Sequence, residues 1–263
     1  MRVALFATCI NDAMFPQAAL ATTHLLRRLG IAVEFPKDQA CCGQMHINTG
    51  YYPEALPLIR NHVETFRPLL TGKWDAIVVP SSSCTGSIRD QQALVARECG
   101  EEQLAQDVEA IAEKTYDLSE FLCDVYGSVE LGSYFPHKAT YHSTCHSMRI
   151  TKVGERPYRL LRAVEGLDLI DLPNNTSCCG FGGTFSMKNI ETSKAMLTDK
   201  MTAIKSTGAE VVIAGDYSCL MHIGGGLSKI NAGIRAIHLA EVLAPTKDEK
   251  WQAPSWTTKV GAR

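Results

Sequence analysis

One cysteine pattern occurs twice in this chain and limits the possible folds more than any other feature of the sequence. Cys9, Cys41-Cys42-Gly43 and Cys84 return as Cys145, Cys178-Cys179-Gly180 and Cys219, at offsets of 135 to 137 positions. The intervals match as well: 31 residues lie between Cys9 and Cys41 and 32 between Cys145 and Cys178, with 41 and 39 between each pair and its last cysteine. Each copy closes on a similar motif, Leu118-Ser119-Glu120-Phe121-Leu122 and Leu239-Ala240-Glu241-Val242-Leu243. Such self-similarity signals a duplicated structural unit. The first copy carries an additional charged, helix-prone insertion at about 90–114.

Apolar periodicity alternates between strand and helix within each copy. In the first, Val3–Ala7, Ile31–Phe35 and Ala76–Val79 read as strands, with helices at Gln17–Leu29, stopped by Gly30, and at about 53–70. In the second, Ala139–His142, Leu169–Leu172 and Glu210–Ala214 are strands, and Tyr158–Val164 and Lys188–Ser206 are helices. This repeated βαβαβ order predicts an α/β fold of two pseudo-twofold-related domains, each a small, mainly parallel sheet flanked by helices. The expected boundaries are 1–125 and 137–244, with a Gly-, Ser- and Pro-rich linker at 126–136 and an exposed tail at 245–263.

Ten cysteines in 263 residues call for a metal or redox explanation if the compartment is reducing. The apolar run after Arg2 is too brief for a secretory leader, and no stretch reaches the roughly 18–20 apolar residues that cross a bilayer. A cytoplasmic protein without a transmembrane segment is therefore expected. A formal net charge of −2 offers no footprint for a polyanion, so nucleic acid is not an expected partner.

The strand assignments place Cys9, Cys84, Cys145 and Cys219 just beyond the carboxyl ends of strands, where parallel sheets bind ligands. The paired cysteines lie in the loop after the second strand of each copy, so four thiolates converge on one site per half. Neighbouring Cα atoms are about 3.8 Å apart across a trans peptide, shorter than the usual disulfide span, which argues against a bond within each pair. Gly43 and Gly180 let the chain turn so that both thiolates face one way. Thiolates are soft donors suited to iron–sulfur clusters and zinc. Neither half contains the C-x₂₋₄-C knuckle of structural zinc sites, which favours the cluster; a zinc-stabilised interaction module and a dithiol redox enzyme are the alternatives, the latter lacking a C-x-x-C motif.

The duplicated C…CCG…C pattern resembles the cysteine-rich CCG domain of heterodisulfide reductase. More narrowly, "VALFATCINDA", "FPKDQACCGQMHINTGY", "PSSSC", "CCGFGGTFSMK" and "HLAEVL" resemble the lactate utilisation protein A (LutA/YkgE) family, over residues 1–244. The resemblance implies an electron-transfer component of a cytoplasmic system oxidising L-lactate to pyruvate. It also implies partner subunits, one a ferredoxin-like iron–sulfur protein, and two clusters of [4Fe-4S] type. The ligands would be Cys9, Cys41, Cys42 and Cys84 at one site and Cys145, Cys178, Cys179 and Cys219 at the other. The heterodisulfide-reductase pattern ends in C-x-x-C, and here Ser81 and Asp216 stand at the first of those positions. Four thiolates per site, with a serine or aspartate oxygen as auxiliary donor, leave cubane and noncubane forms both open. The same resemblance allows a thiol/disulfide reductase as the alternative function.

His46, His142, His146 and His222 fall near the cysteine motifs, as candidates to hydrogen-bond sulfur, ligate iron or move protons. The Gly180–Phe185 loop and Gly224–Gly226 read as close backbone packing or turns; Cys99 and Cys123, without counterparts, read as plain thiols. Ser143, His142 and Asp171 lack the nucleophile elbow of a hydrolase.

Overall fold

The structure, a computed structural model, describes residues 1–252. The first half runs β1 (Arg2–Leu5), α1 (Cys9–Ala13), α2 (Gln17–Arg28), β2 (Ala32–Glu34), α3 (Gln44–Ile47), α4 (Tyr52–Phe66), β3 (Ala76–Val79) and α5 (Ser82–Gly86). It continues through α6 (Gln92–Glu98), α7 (Glu102–Ala112), β4 (Thr115–Asp117) and α8 (Leu118–Glu120). The second half runs β5 (Lys138–Tyr141), α9 (Cys145–Arg149), α10 (Arg156–Arg162), β6 (Asp168–Ile170), α11 (Phe185–Lys188) and α12 (Ile190–Ser206). It closes with β7 (Val211–Ala214), α13 (Tyr217–Lys229), β8 (Arg235–His238) and α14 (Leu239–Leu243).

Each half forms a four-stranded parallel sheet, ordered β2-β1-β3-β4 and β6-β5-β7-β8. The registers correspond: Val3 pairs with Ala76 and Val33, and Ala139 with Val211 and Leu169. The sequence predicts three strands per half, and the edge strands β4 and β8 are additional. They are three and four residues long and run directly into α8 and α14, too short for an alternating pattern to stand out. The glycine run 224–226 lies inside α13 rather than in a turn. A Cβ on Gly224 would meet Ala236 at 2.9 Å and one on Gly226 the Met201 sulfur at 2.7 Å, so the glycines let α13 lie close on β8 and α12.

Both sheets bury both faces, as parallel sheets do. Alternation along β1 and β3 sends Val3, Ala76 and Val78 to one side and Ala4, Ile77 and Val79 to the other. The first side joins Ala139, Tyr141, Val211 and Ile213 of the second sheet in one shared core. The helices at this junction pack reciprocally: α2 on α14 and α10 on α8, α1 on α13 and α9 on α5. Reciprocal contact of this kind is what a twofold relation between similar units imposes.

The segment between the halves is held by Leu131, buried in the shared core, and by Ser133, whose hydroxyl donates to the Leu243 carbonyl at 2.6 Å. In the segment after Ala244, Trp251 packs against the same core. Residues 253–263 of the expected tail lie outside the described residues. No helix among the described residues is long and apolar enough to cross a membrane.

Candidate metal centre

In each half the chain reverses direction across the sheet between the first and third strands, so the loops after these strands diverge and leave a crevice at their carboxyl ends. Cys9 opens α1 after β1, the Cys41-Cys42 pair sits after β2, and Cys84 lies in α5 after β3. Gly43, at φ 80°, turns the pair into α3. A π-helical turn at Ser87–Gln91 brings Ser87 and Gln92 onto one acceptor: their side chains donate to the Cys42 carbonyl at 3.3 and 3.0 Å. The outcome is two close pairs of sulfurs, with Cys9 Sγ 3.4 Å from Cys41 Sγ and Cys42 Sγ 3.3 Å from Cys84 Sγ. These separations are far beyond a disulfide bond of about 2.05 Å, and all ten cysteines are free.

The second half repeats the arrangement. Cys145 opens α9, capped by Thr144, whose hydroxyl accepts from Ser147 N at 3.2 Å. Gly180, at φ 91°, follows the Cys178-Cys179 pair, and Cys219 lies in the first turn of α13. In both sets the glycine amide donates to the first sulfur of the pair, Gly43 N to Cys41 at 3.5 Å and Gly180 N to Cys178 at 3.4 Å. Hydrogen bonds from Cys42, Cys9 and Gly43 hold the Cys41 thiol far below the ordinary range, and Cys145, Cys179 and Gly180 do the same for Cys178. Their partners Cys9, Cys42, Cys145 and Cys179 are pushed up by sharing protons with those sulfurs and by burial. All eight cysteines line one cavity between the halves.

Such a set of soft donors, unbridged and with an amide aimed at one sulfur of each group, fits a thiolate-ligated metal or iron–sulfur group. Ser81 and Asp216 occupy equivalent places as helix caps. Ser81 Oγ accepts from Cys84 N at 3.3 Å; Asp216 accepts from Ser218 N at 3.1 Å and, across the halves, from Ser83 N at 2.9 Å. Asp216 also lines the cavity, as does Ser81.

Of the four histidines singled out in the sequence, His146 bridges the halves: Gln44 Nε2 donates to its Nε2 at 2.8 Å, and its Nδ1 lies 3.6 Å from Cys145 Sγ. His222 Nε2 is 3.4 Å from Ser193 Oγ, and the His46 Nδ1 is buried without a partner. His142 is fully buried, neither ring nitrogen has a hydrogen-bond partner, and one lies within 4.8 Å of the Cys179 and Cys219 sulfurs. Burial lowers the basicity of His142 to about 3. Ser143 is bound by Asn175 and by Tyr158 rather than by a histidine.

The cysteine-rich domain family CCG matches residues 3–89 and again 139–224, which encloses both cysteine sets. Lactate utilization protein A of Geobacillus sp. (strain WCH70) is 40% identical over 243 residues, covering 92% of this chain and 99% of that protein. The chain belongs to the lactate utilization protein A family. The Bacillus subtilis (strain 168) member is 39% identical over 243 residues, with the same 92% and 99% covered. The Exiguobacterium sp. member reaches 43% over 241 residues, 92% of this chain and 96% of its own length.

Several residues that shape the site escape a reading of motifs. Ser87, Gln92 and Gln44 act on cysteine or histidine from the next helix or the other half, contacts that spacing does not encode. Lys200 is different, since it is 2% exposed on the buried stripe Ser193, Lys200, Ile204 of α12. A lysine at i−4 from a core isoleucine is a signal the sequence does carry.

Proposed function

We propose that this protein holds one iron–sulfur cluster in each cysteine set and serves as an electron-transfer component of an L-lactate oxidising system. The observation that carries this reading is the convergence of Cys9, Cys41, Cys42 and Cys84 with Cys145, Cys178, Cys179 and Cys219 on one cavity. A cluster bound there would supply reversible one-electron chemistry. The residues of the chain do the rest: thiolates ligate, the Gly43 and Gly180 amides donate to sulfur, and Ser81 and Asp216 cap the helices that present Cys84 and Cys219. The name of the relatives supplies the lactate connection, and partner subunits with ferredoxin-like clusters are the proposed electron-exchange partners. Met45, at the cavity, is an exposed apolar side chain suited to such a contact. A cytoplasmic location accords with this role.

Anaerobically purified protein mixed with its partner subunits is expected to bleach in the visible on addition of L-lactate, and to stay unchanged with lactate alone. Absence of bleaching in the complete mixture contradicts the proposal. One observation favours a second reading, a thiol/disulfide reductase: the two sets face a common cavity rather than separate surfaces. Turnover of a disulfide by this chain alone, with a one-electron dye as reductant, would favour that reading.

A further inference from the structure

The two sites are alike in sulfur and unlike in what stands behind it. A Cβ on Gly43 would meet Ala55 and Leu58 of α4, and one on Gly180 would meet Ser193 and Met196 of α12. These contacts align the two helices at an offset of 138, which places Lys200 where the first half has His62. The cysteine after the first strand aligns Cys145 with Cys9, and therefore His142 with Phe6. All four side chains are buried, at 0 to 2% exposure.

In the first half, the Phe6 and His62 rings meet edge-on at 5.5 Å, and neither His62 nitrogen has a partner. Burial drops the His62 basicity to about 3, so the imidazole is uncharged at neutral pH. The pair places no charge behind Cys41, Cys42 and Cys84. In the second half, an unpartnered imidazole lies against Cys179 and Cys219, and the buried Lys200 is near enough to act on that imidazole electrostatically. The Lys200 Nζ donates to the Asn174 carbonyl at 3.1 Å; burial pulls its basicity down, and the Cys179, Cys178 and Cys219 thiolates pull it up. A cation in a low-dielectric interior favours any neighbouring group that gains an electron, and an N–H donor to a cluster sulfur acts in the same direction.

We propose that His142 and Lys200 make the two sites electrically inequivalent, giving the Cys145, Cys178, Cys179 and Cys219 site the higher reduction potential. This holds even though Asp216 stands where the first half has Ser81, because that carboxylate faces the shared cavity and is held by donors from both halves, Ser218 and Ser83. An electron delivered to the chain then comes to rest in the second half: the first site gives up one electron, the second accepts it, and no bond or proton changes place. This deepens the reading that each cysteine set holds an iron–sulfur group and rests on it. His142 and Lys200 act through the cluster environment, as positioning and tuning residues.

The test is a redox titration of the anaerobically purified, cluster-loaded full chain, followed by visible absorption and electron paramagnetic resonance. Two one-electron waves are expected, separated by at least tenfold in equilibrium constant, about 59 mV for one electron. Lys200→Met is expected to lower the upper wave by tenfold or more and to leave the lower wave in place. His142→Phe, which installs the residue of the first half, is expected to lower the same wave and covers the case in which Lys200→Met does not fold. A single unsplit wave in the parent protein, or equal movement of both waves in either variant, overturns the inference while leaving the cluster reading intact. Protein that contains no iron and no acid-labile sulfide overturns the cluster reading itself.

Discussion

Behind its cysteines, the first half carries a thick apolar layer. Ile59, Val63 and Phe66 of α4 pack with Ile88 and with Val95, Val108 and Ile111 from the insertion that the second half lacks. The corresponding layer of the second half is thin: Ile204, Val212, Ile223 and Leu227 are buried there, and α12 contributes Ser193 and Lys200 to its buried stripe. Both halves nevertheless bring four cysteines from equivalent loops to the same cavity. The cysteine loops therefore depend on the strand ends and glycine turns that the halves share. The outer layer is free to diverge, toward rigidity in one half and toward buried polar groups in the other.

The sharpest way to break this comparison is to cut equivalent side chains from the two layers. Phe66→Ala is expected to cost about 3–5 kcal/mol and Ile204→Ala, its counterpart, closer to about 2 kcal/mol. Urea denaturation of the two variants measures the difference, and equal losses would show that the second layer is as tightly packed as the first.

The glycines of the two CCG motifs offer a smaller contrast. Both have positive φ, for which a side chain costs about 1–2 kcal/mol. A Cβ on Gly43 finds its nearest neighbour at 3.8 Å, whereas one on Gly180 would sit 2.7 Å from the Ser193 carbonyl oxygen. Gly180→Ala should therefore add an overpacking cost of about 1–3 kcal/mol that Gly43→Ala avoids. Thermal denaturation of both variants checks the order.

Buried histidines make both halves acid-sensitive. Burial depresses His62 to about 3, so the unfolded chain takes up a proton below pH 6.5 that the folded chain refuses. The stability linked to this group is complete above pH 6.5 and is lost as pH falls toward 3, by up to about 1.4 kcal/mol per pH unit. His238, which caps α14 and is depressed to about 4 by burial, behaves alike. Burial raises Asp117, Glu120 and Glu241 instead, so their contribution is full at low pH and is lost as pH rises through their folded values. His62→Phe should flatten the fall in stability between pH 6.5 and 4 by up to about one proton's worth of slope, measured by denaturation across that range. An unchanged slope would place the acid sensitivity elsewhere.

The smallest expected effects have opposite signs. Thr8 precedes Cys9 at φ 66°, ψ 151°, a backbone region suited to glycine, while its counterpart Thr144 has φ −72° and caps α9 through its hydroxyl. Thr8→Gly should relieve strain of about 1 kcal/mol. Thr144→Gly should lose a few tenths of a kcal/mol with the cap.

Much of this architecture is legible in the residues. The duplicated cysteines, the parallel βαβ order and the position of each cysteine at a strand end follow from periodicity and spacing alone. Four things do not. The edge strands β4 and β8 are too short to show a period, and the glycines of α13 read equally as close packing or as a turn until the residues they face, Ala236 and Met201, are known. The sharing of one cavity by both sets depends on the reciprocal packing of α1 on α13 and α5 on α9, which no local pattern encodes. Ser81 and Asp216 are readable as oxygen donors, but their capping of α5 and α13 is visible only once those helices are placed.

The central claim is that each half independently holds iron and sulfide on its own four thiolates. Iron and acid-labile sulfide per chain, measured after anaerobic purification of the parent, Cys42→Ser and Cys179→Ser proteins, tests it most directly. The account expects matching iron and sulfide in the parent and about half of both in each variant. Stoichiometric zinc without sulfide in the parent, or an unchanged iron content in either variant, would contradict it.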